Sequence, residues 1–276
     1  MRDVDQYYLE PLRIDRPGRP PRRIDRPTDR LKGLQRRILD TLSSRLAFGN
    51  YVHGCLKGKS PRTLAQYHRG QRVVIRVDIE DFFPSISFAT VERLLRERLG
   101  ASGQVGRLIA RLLTRGLGAS GERFLPQGSP ASPLMANLAL MKFDRNIDTA
   151  ARRIGARYGR YVDDIVVSGD RARDLIPIVI GYLRREGFKV ARRKLLVMPR
   201  GRRQVAVGLN LQRTLSPTAD FRSGCEMLLV RGRDPSADRS LLAARLAGKL
   251  SYAGSCEGAF ARRLQIRAAA LLRSGD

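Results

Sequence analysis

The chain has 276 residues, which fits one large domain or two to three small ones, and 42% of them are hydrophobic, enough for a packed core rather than wholesale disorder. Lysine and arginine number 53 against 26 aspartate and glutamate, a formal net charge of +27. No apolar run approaches the ~18 residues of a membrane span, no signal-peptide pattern precedes the charged start, and Cys55, Cys225 and Cys256 form neither a disulfide framework nor a C-x-x-C zinc pair. His53 and His68 are the two histidines, too few for a His-rich metal centre. The expectation is a soluble, cytoplasmic protein in a reducing compartment, with a field for polyanions. Nucleic acid, anionic membrane surfaces and acidic proteins all answer to such a field.

The first 37 residues hold 11 basic and 6 acidic side chains, with a Pro-rich run from Arg16 to Pro27 that reads as loop or edge strand. Leu31, Leu34, Ile38, Leu42 and Leu46 then recur at helical spacing, with Arg36, Arg37 and Arg45 between them, giving a helix with a basic outer face. Val73–Ile79 is a β-branched run that delivers Asp78 to the end of a buried strand. A turn over 80–86 follows, and Ser87 caps a helix whose apolar face is Val91, Leu94, Leu95 and Leu99. Pro130 and Pro133 close a loop before a helix carrying Leu134, Asn137 and Leu138. Tyr158–Val167 predicts a hairpin with Asp163 and Asp164 at its tip, ended by a turn at Gly169-Asp170. Arg184–Arg203 carries nine basic residues and one acid, a net of +8. Leu241, Leu242, Leu246 and Leu250 form the inner face of a C-terminal helix.

Taken singly, each feature has a plain explanation. A charge run is usually a solvated face, an Asp-Asp pair a surface turn, and Asp78 an N-cap or turn residue. Together they say more. Two strand ends bearing three aspartates can meet in one sheet, where like charges raise each other's pKa. Hard divalent cations with oxygen ligands relieve that repulsion, and Mg²⁺ held by carboxylates and substrate phosphates is the common form. Acids of this kind in basic surroundings point to nucleotidyl transfer with two ions.

Several segments carry a resemblance. Val77-Asp78-Ile79-Glu80-Asp81-Phe82-Phe83-Pro84-Ser85-Ile86 resembles the first catalytic motif of bacterial reverse transcriptases. Leu125-Pro126-Gln127-Gly128-Ser129-Pro130-Ala131-Ser132-Pro133 resembles their nucleotide-pocket motif, and Tyr161-Val162-Asp163-Asp164 their Y-x-D-D box. Gly187-Phe188-Lys189-Val190 with Lys194, then Val207-Gly208-Leu209-Asn210, resemble the next two motifs, and Arg245–Tyr252 the start of a thumb helix. The motifs stand in family order from about residue 10 to 270. Within the family, the loop pattern is similar to that of retron enzymes. Ala65-x-x-His68 partly matches a retron element, but Leu64 stands where Asn is expected, and Ala206-Val207-Gly208 where retrons usually show V-T-G.

The resemblance implies roles. Asp78, Asp163 and Asp164 would hold two Mg²⁺ ions, with the Ile79 carbonyl as a further ligand. Phe83 matches a steric gate against a ribose 2′-OH, unless it is core like Phe82. Gln127 and Gly128 would line the nucleotide pocket, and Lys194 would sit behind the catalytic hairpin. Arg16 and Arg22 align with residues that grip a triphosphate, though Arg19, Arg23 or Arg26 could serve. Arg245, Lys249, Arg262 and Arg263 would contact nucleic acid. His53 supports a turn, and His68 is either a structural histidine or part of an RNA-facing element.

The implied fold is α+β, a right-hand polymerase with fingers over 1–75, a palm over 76–215 (an antiparallel sheet flanked by helices, with inserted fingers elements) and a short helical thumb over 216–276. The implied activity is RNA-directed DNA polymerisation in a retron or anti-phage defence system. The implied partners are an RNA template, an RNA–DNA hybrid and deoxynucleoside triphosphates, with no membrane. A separately encoded noncoding RNA and an effector protein remain open as further partners. The alternative is a non-catalytic RNA-binding protein that keeps the fold.

Overall fold

The computed structural model describes residues 3–16, 19–116, 121–232, 234, 239–254 and 259–273. The chain opens with a hairpin of β1 (Tyr8–Arg16) and β2 (Arg19–Pro27), paired antiparallel, and the helix α1 (Asp29–Ser43). From Arg19 to Pro27 the Pro-rich run is thus a strand. It belongs to a two-stranded ribbon, where proline's missing donor costs little. α2 (Pro61–His68) starts at a capping box: Thr63 N–H donates to Ser60 Oγ at 3.3 Å, and Ser60 N–H to Thr63 Oγ1 at 3.0 Å. Then come β3 (Val73–Asp78), the short α3 (Phe82–Ser85), α4 (Phe88–Leu99) and α5 (Gly103–Leu113). Ser87 caps α4 as its sequence predicts, accepting from Thr90 N–H at 3.2 Å. The small strands β4 (Arg115–Gly116) and β5 (Arg123–Phe124) pair before α6 (Ser132–Ala139) and α7 (Met141–Arg153).

The central sheet follows from β6 (Arg157–Tyr161), β7 (Asp164–Ser168) and, beyond α8 (Leu175–Arg185), β8 (Leu196–Pro199). Its order is β6-β7-β3-β8, all antiparallel. Strand alternation assigns its two faces. Ile75, Val77, Ile165, Val167 and Tyr158 lie on one face and join the main core with Leu134, Leu138, Phe143 and Ile147 of α6 and α7. Val74 and Val166 lie on the other. They pack against Leu64 and Ala65 of α2 and against a three-stranded sheet of β9 (Val205–Ala206), β10 (Leu209–Asn210) and β11 (Ser216–Pro217). Each of these fully buried aliphatic side chains contributes about 1.5–3 kcal/mol relative to exposure. Both faces are covered, which explains the apolar run of β7 and that of β3, interrupted there by Arg76.

α9 (Ala219–Arg231), α10 (Arg239–Gly254) and α11 (Phe260–Arg273) enclose a separate core of Cys225, Leu229, Leu242, Leu246, Ala253, Leu264 and Ala268. Leu242 and Leu246 face inward as the sequence predicts; the side chain of Leu241 lies outside the described residues. β3 begins at Val73, and β11 still pairs with β10. Among the described residues no helix is long and apolar enough to cross a membrane.

Both histidines sit inside the sheet's second layer. His68 is 0% exposed, with Nδ1 2.7 Å from Ser168 Oγ; His53 is 4% exposed, with Nδ1 2.8 Å from Thr63 Oγ1. The structure therefore corrects the RNA-facing alternative for His68: it is a structural histidine. Burial pushes its pKa down to about 3 and that of His53 to about 4. A neutral buried imidazole must gain a proton on unfolding below its ordinary pKa of 6.5. Its stabilising contribution is therefore complete above about pH 6.5 and is lost as pH falls toward the folded value. We expect the unfolding free energy from urea titrations between pH 4 and 6.5 to fall more steeply for the wild type than for His68→Gln, by up to about 1.4 kcal/mol per pH unit. Equal slopes would mean that His68 is not buried neutral.

Candidate active site

The site forms where β3 and β7 end together. Their register pairs Asp78 directly with Asp164, so both carboxylates leave the sheet on the same face, with Cβ atoms about 4.5–5.5 Å apart. Asp163 sits beside them in the two-residue turn Val162-Asp163 that joins β6 to β7. Val162 has φ +58°, a left-handed conformation that is rare for a β-branched residue. It occupies the first turn position, where glycine is the usual choice in this hairpin class.

The acids are crowded. Burial, the first cause, and the neighbouring Asp78 push the Asp163 pKa up, against the lowering influence of Arg22 and Lys194. Burial pushes Asp164 up to about 6; Arg76 opposes this, while Asp163 and Asp78 add to it. Lys194, in a short 3₁₀ turn, sets its Nζ 2.6 Å from Asp78 Oδ1. The +8 segment thus places one ammonium on the first aspartate itself, rather than behind the hairpin. Arg76 Nε stands 3.5 Å from Asp164 Oδ1 without hydrogen-bond geometry, and among the described residues both buried atoms lack a hydrogen-bond partner.

Ile79 forms an antiparallel bridge with Val190, flanked by Ala191 N–H to the Asp78 carbonyl at 2.9 Å and Glu80 N–H to the Lys189 carbonyl at 2.8 Å. With those flanking groups paired toward Val190, the N–H and carbonyl of Ile79 point the opposite way, toward the β7 side. Three carboxylates and a backbone carbonyl are hard oxygen donors suited to Mg²⁺, and the Oδ1 of Asp164, buried with no hydrogen-bond partner among the described residues, fits the role of a metal ligand. They are not a finished cage: among the described residues no group of three or more His, Cys, Asp or Glu is arranged to hold an ion unaided.

The first hairpin leans over this end of the sheet. Arg22 Nε donates to Gln127 Oε1 at 2.7 Å, and Asp25 N–H donates to the Gln127 carbonyl at 2.6 Å. Gly128 has φ +124°, and a Cβ there would stand 2.1 Å from the Asp25 carbonyl oxygen, so the loop can lie on β2 only with glycine at this place. Of the competing arginines, Arg23 is engaged by buried Asp25 at 3.0 Å, which also holds Arg115 at 2.6 Å. The side chains of Arg16 and Arg19 lie outside the described residues. Phe83 is half-buried on α3, packed against the core with its ring 5.7 Å from that of Phe82, while Phe82 is fully in the core against Phe188.

Arg245, Arg262 and Arg263 are exposed on α10 and α11. Lys249 is half-buried instead, its ammonium 4.5 Å above the Phe221 ring. These four residues belong to the C-terminal three-helix unit, and among the described residues none of them forms a hydrogen bond or ion pair with the three aspartates.

Sequence reasoning missed Arg76, Asp25 and the buried group Arg160, Asp144 and Asn137. Arg76 had a readable signal: strand alternation puts it on the face of Asp78, two residues on. Asp25 had none, since its partners are 2 and 90 residues away.

An antiparallel sheet that carries clustered carboxylates at one end, beneath a basic hairpin and a glycine-bearing loop, defines a polymerase palm of the α+β class. The chain belongs to the reverse transcriptase family, matching "Reverse transcriptase (RNA-dependent DNA polymerase)" over residues 16–209. It is 36% identical to the retron Mx65 reverse transcriptase of Myxococcus xanthus, over 89% of this chain and 61% of that protein. It is 34% identical to the retron Mx162 reverse transcriptase of the same organism, over 68% and 44%, and 31% identical to the retron Ec86 reverse transcriptase of Escherichia coli, over 72% and 62%. The chain thus spans roughly half to three-fifths of the length of these relatives.

Crowded carboxylates cost stability when nothing neutralises them. The folded-state pKa of Asp164 lies above its ordinary value, so above about pH 6 its ionised form opposes folding. In chelator at pH 8, Asp164→Asn should melt at a higher temperature than the wild type, and the gain should shrink toward pH 4, where the folded wild-type group is protonated. A lower melting temperature at pH 8 by calorimetry would show that Asp164 is stabilised by Arg76 rather than strained by its neighbours.

Proposed function

We infer that this chain is an RNA-directed DNA polymerase, copying an RNA template into DNA by nucleotidyl transfer. The observation that carries the reading is the register that sets Asp78 against Asp164, with Asp163 beside them on a strained turn. Membership of the reverse transcriptase family supports it. Asp78, Asp163 and Asp164 would hold two Mg²⁺ ions, with the Ile79 carbonyl as a further ligand; bound there, the ions would acidify a primer hydroxyl and neutralise triphosphate charge.

The chain's own residues do the remaining work. Arg22, braced by Gln127, offers a guanidinium to the triphosphate. Gly128 lets the backbone lie close to the incoming nucleotide. Lys194, whose ammonium lies against Asp78 Oδ1, orients that carboxylate and offers a cation to the phosphates. Phe83, half-buried at the rim, sets a ring against the sugar and excludes a 2′-OH. The three-helix unit acts as the thumb, and Arg245, Arg262 and Arg263 hold an RNA–DNA hybrid through its phosphates. Lys249 contributes less, because Phe221 already engages it. Arg16, at the tip of the first hairpin, is a second candidate for the triphosphate.

Likeness to retron enzymes extends the reading to a cytoplasmic retron or anti-phage defence system, with a separately encoded noncoding RNA as template and an effector protein as further partner. A pure RNA-binding protein fits less well, since it would gain nothing from crowding acids whose pKa values are raised by burial and each other.

Asp163→Asn should abolish primer extension on an RNA template with Mg²⁺ while leaving RNA affinity within about twofold, because affinity rests on the basic surface. Extension at near wild-type rate would overturn the site assignment. Phe83→Val should admit ribonucleotides, raising ribo- over deoxynucleotide incorporation by about tenfold or more, the scale of one lost steric clash. Unchanged discrimination in a folded variant would leave Phe83 as part of the core.

A further inference from the structure

The sheet face that packs on α6 and α7 is apolar except at one place. Arg160, in β6, is 0% exposed among Ile165, Val167 and Phe143. Its Nε and Nη2 donate to Asp144 Oδ1 and Oδ2 at 2.9 and 2.7 Å, and the Tyr158 hydroxyl donates to the same carboxylate. Its Nη1 donates to Asn137 Oδ1 at 2.9 Å and to the Val162 carbonyl at 2.7 Å. Asn137 Nδ2 in turn donates to the Gly54 carbonyl at 2.9 Å. Gly54 lies flat on the hairpin turn: a Cβ there would stand 2.5 Å from Val162 N.

A buried ion pair alone would be a poor reason to keep an arginine here, because well-packed apolar residues do as well or better. What an apolar residue cannot supply is the last donor. Asp144 neutralises the guanidinium along one edge, and the far nitrogen still has hydrogen atoms for the carbonyl of the turn. That carbonyl belongs to the residue at φ +58°, a conformation that persists only where the surroundings over-determine it. The same peptide unit carries the Asp163 N–H, so one peptide plane connects the buried guanidinium to the backbone of the residue at the tip.

We propose that Arg160 is a positioning residue for the Tyr161–Asp164 hairpin: anchored by Asp144 and Asn137, it holds the Val162 carbonyl and so fixes the left-handed turn that aims Asp163. What the hairpin does chemically rests on the polymerase reading above. Arg160 touches no substrate and acts only through the turn.

Two variants and two measurements test this. Arg160→Lys keeps the charge and the Asp144 contact but cannot span both to the turn. Primer extension on an RNA template should lose about 30-fold or more in kcat, with KM for the deoxynucleotide within about threefold, the signature of misplaced chemistry rather than lost binding. Hydrogen exchange should quicken over residues 162–164 and stay unchanged over 73–78. Adding Val162→Gly, which takes a positive φ without strain, should recover about fivefold or more of the lost kcat without restoring the melting temperature. A purely structural arginine would show neither the split nor the rescue. An Arg160→Lys enzyme of normal kcat, a loss that tracks only the unfolded fraction, or no recovery with Val162→Gly would overturn the proposal. If Arg160→Lys does not fold, Asn137→Ala removes one support while leaving the Arg160–Asp144 pair, and the same split in kcat and the same exchange change are expected, smaller in size; their absence overturns it. If the wild type extends no primer, the polymerase reading fails by itself, and exchange over 162–164 in the variants still decides whether Arg160 holds the turn.

Discussion

Everything at the working end of this protein depends on one antiparallel register. Pairing Asp78 with Asp164 brings two carboxylates to adjacent positions on one face, and the tight turn adds a third. A slip of one residue would send Asp78 to the opposite face, into the α6–α7 core. The register is defended by burial on both sides. Ile75, Val77, Ile165 and Val167 need the helices, while Val74 and Val166 need α2 and the small sheet. The apolar runs that look like simple core are what place the acids.

The charges around the acids are graded by distance and burial. Lys194 is in direct contact with Asp78, Arg76 stands near Asp164 without a hydrogen bond, and Arg22 reaches Asp163 only through the field. A tighter set of ion pairs would quench the acids and leave nothing for a cation or phosphate to displace. A looser set would let them repel. Elsewhere the same +27 chain spends its cations differently: Arg123 is locked onto Asp5 at 2.8 Å, Arg115 onto Asp25, and Arg267 onto Glu226, each fixing one element to another. Net charge is therefore a poor guide to which cations meet a polyanion.

Much of this was legible in the sequence. A β-branched run ending in Asp78, the Tyr-x-Asp-Asp turn and the Gln-Gly loop each carry a local signature, and Ser87 marks its helix start. What was hidden depends on pairs distant along the chain. Asp25 meets Arg115, 90 residues on, and Asp144 meets Arg160 across a helix–sheet interface. Period-two alternation predicts that Arg160 shares a face with Tyr158 but not that a carboxylate waits there. The same blindness left His68 ambiguous, since its neighbour Tyr67 is exposed and Arg69 half-buried while it is sealed against Ser168.

Left-handed backbone offers an independent reading of where function lies. Among the described residues, four other than glycine have positive φ: Cys55, Asp81, Val162 and Val207. Cys55 follows the Gly54 that lies on the turn, Asp81 follows the Asp78 strand, Val162 is the turn, and Val207 has a backbone hydrogen bond to Asp164. Three of the four adjoin the carboxylate hairpin or bond to it, and Asp81 lies three residues beyond Asp78. Strain of this kind costs about 1–3 kcal/mol per residue and is retained only where the surroundings insist on it. Its concentration around one sheet end, in a chain whose helices and strands otherwise follow local preference, is the pattern expected when geometry at that end matters more than stability. The polymerase reading and the backbone thus meet at the same residues, by arguments that share no premise: one runs from charge, the other from steric cost.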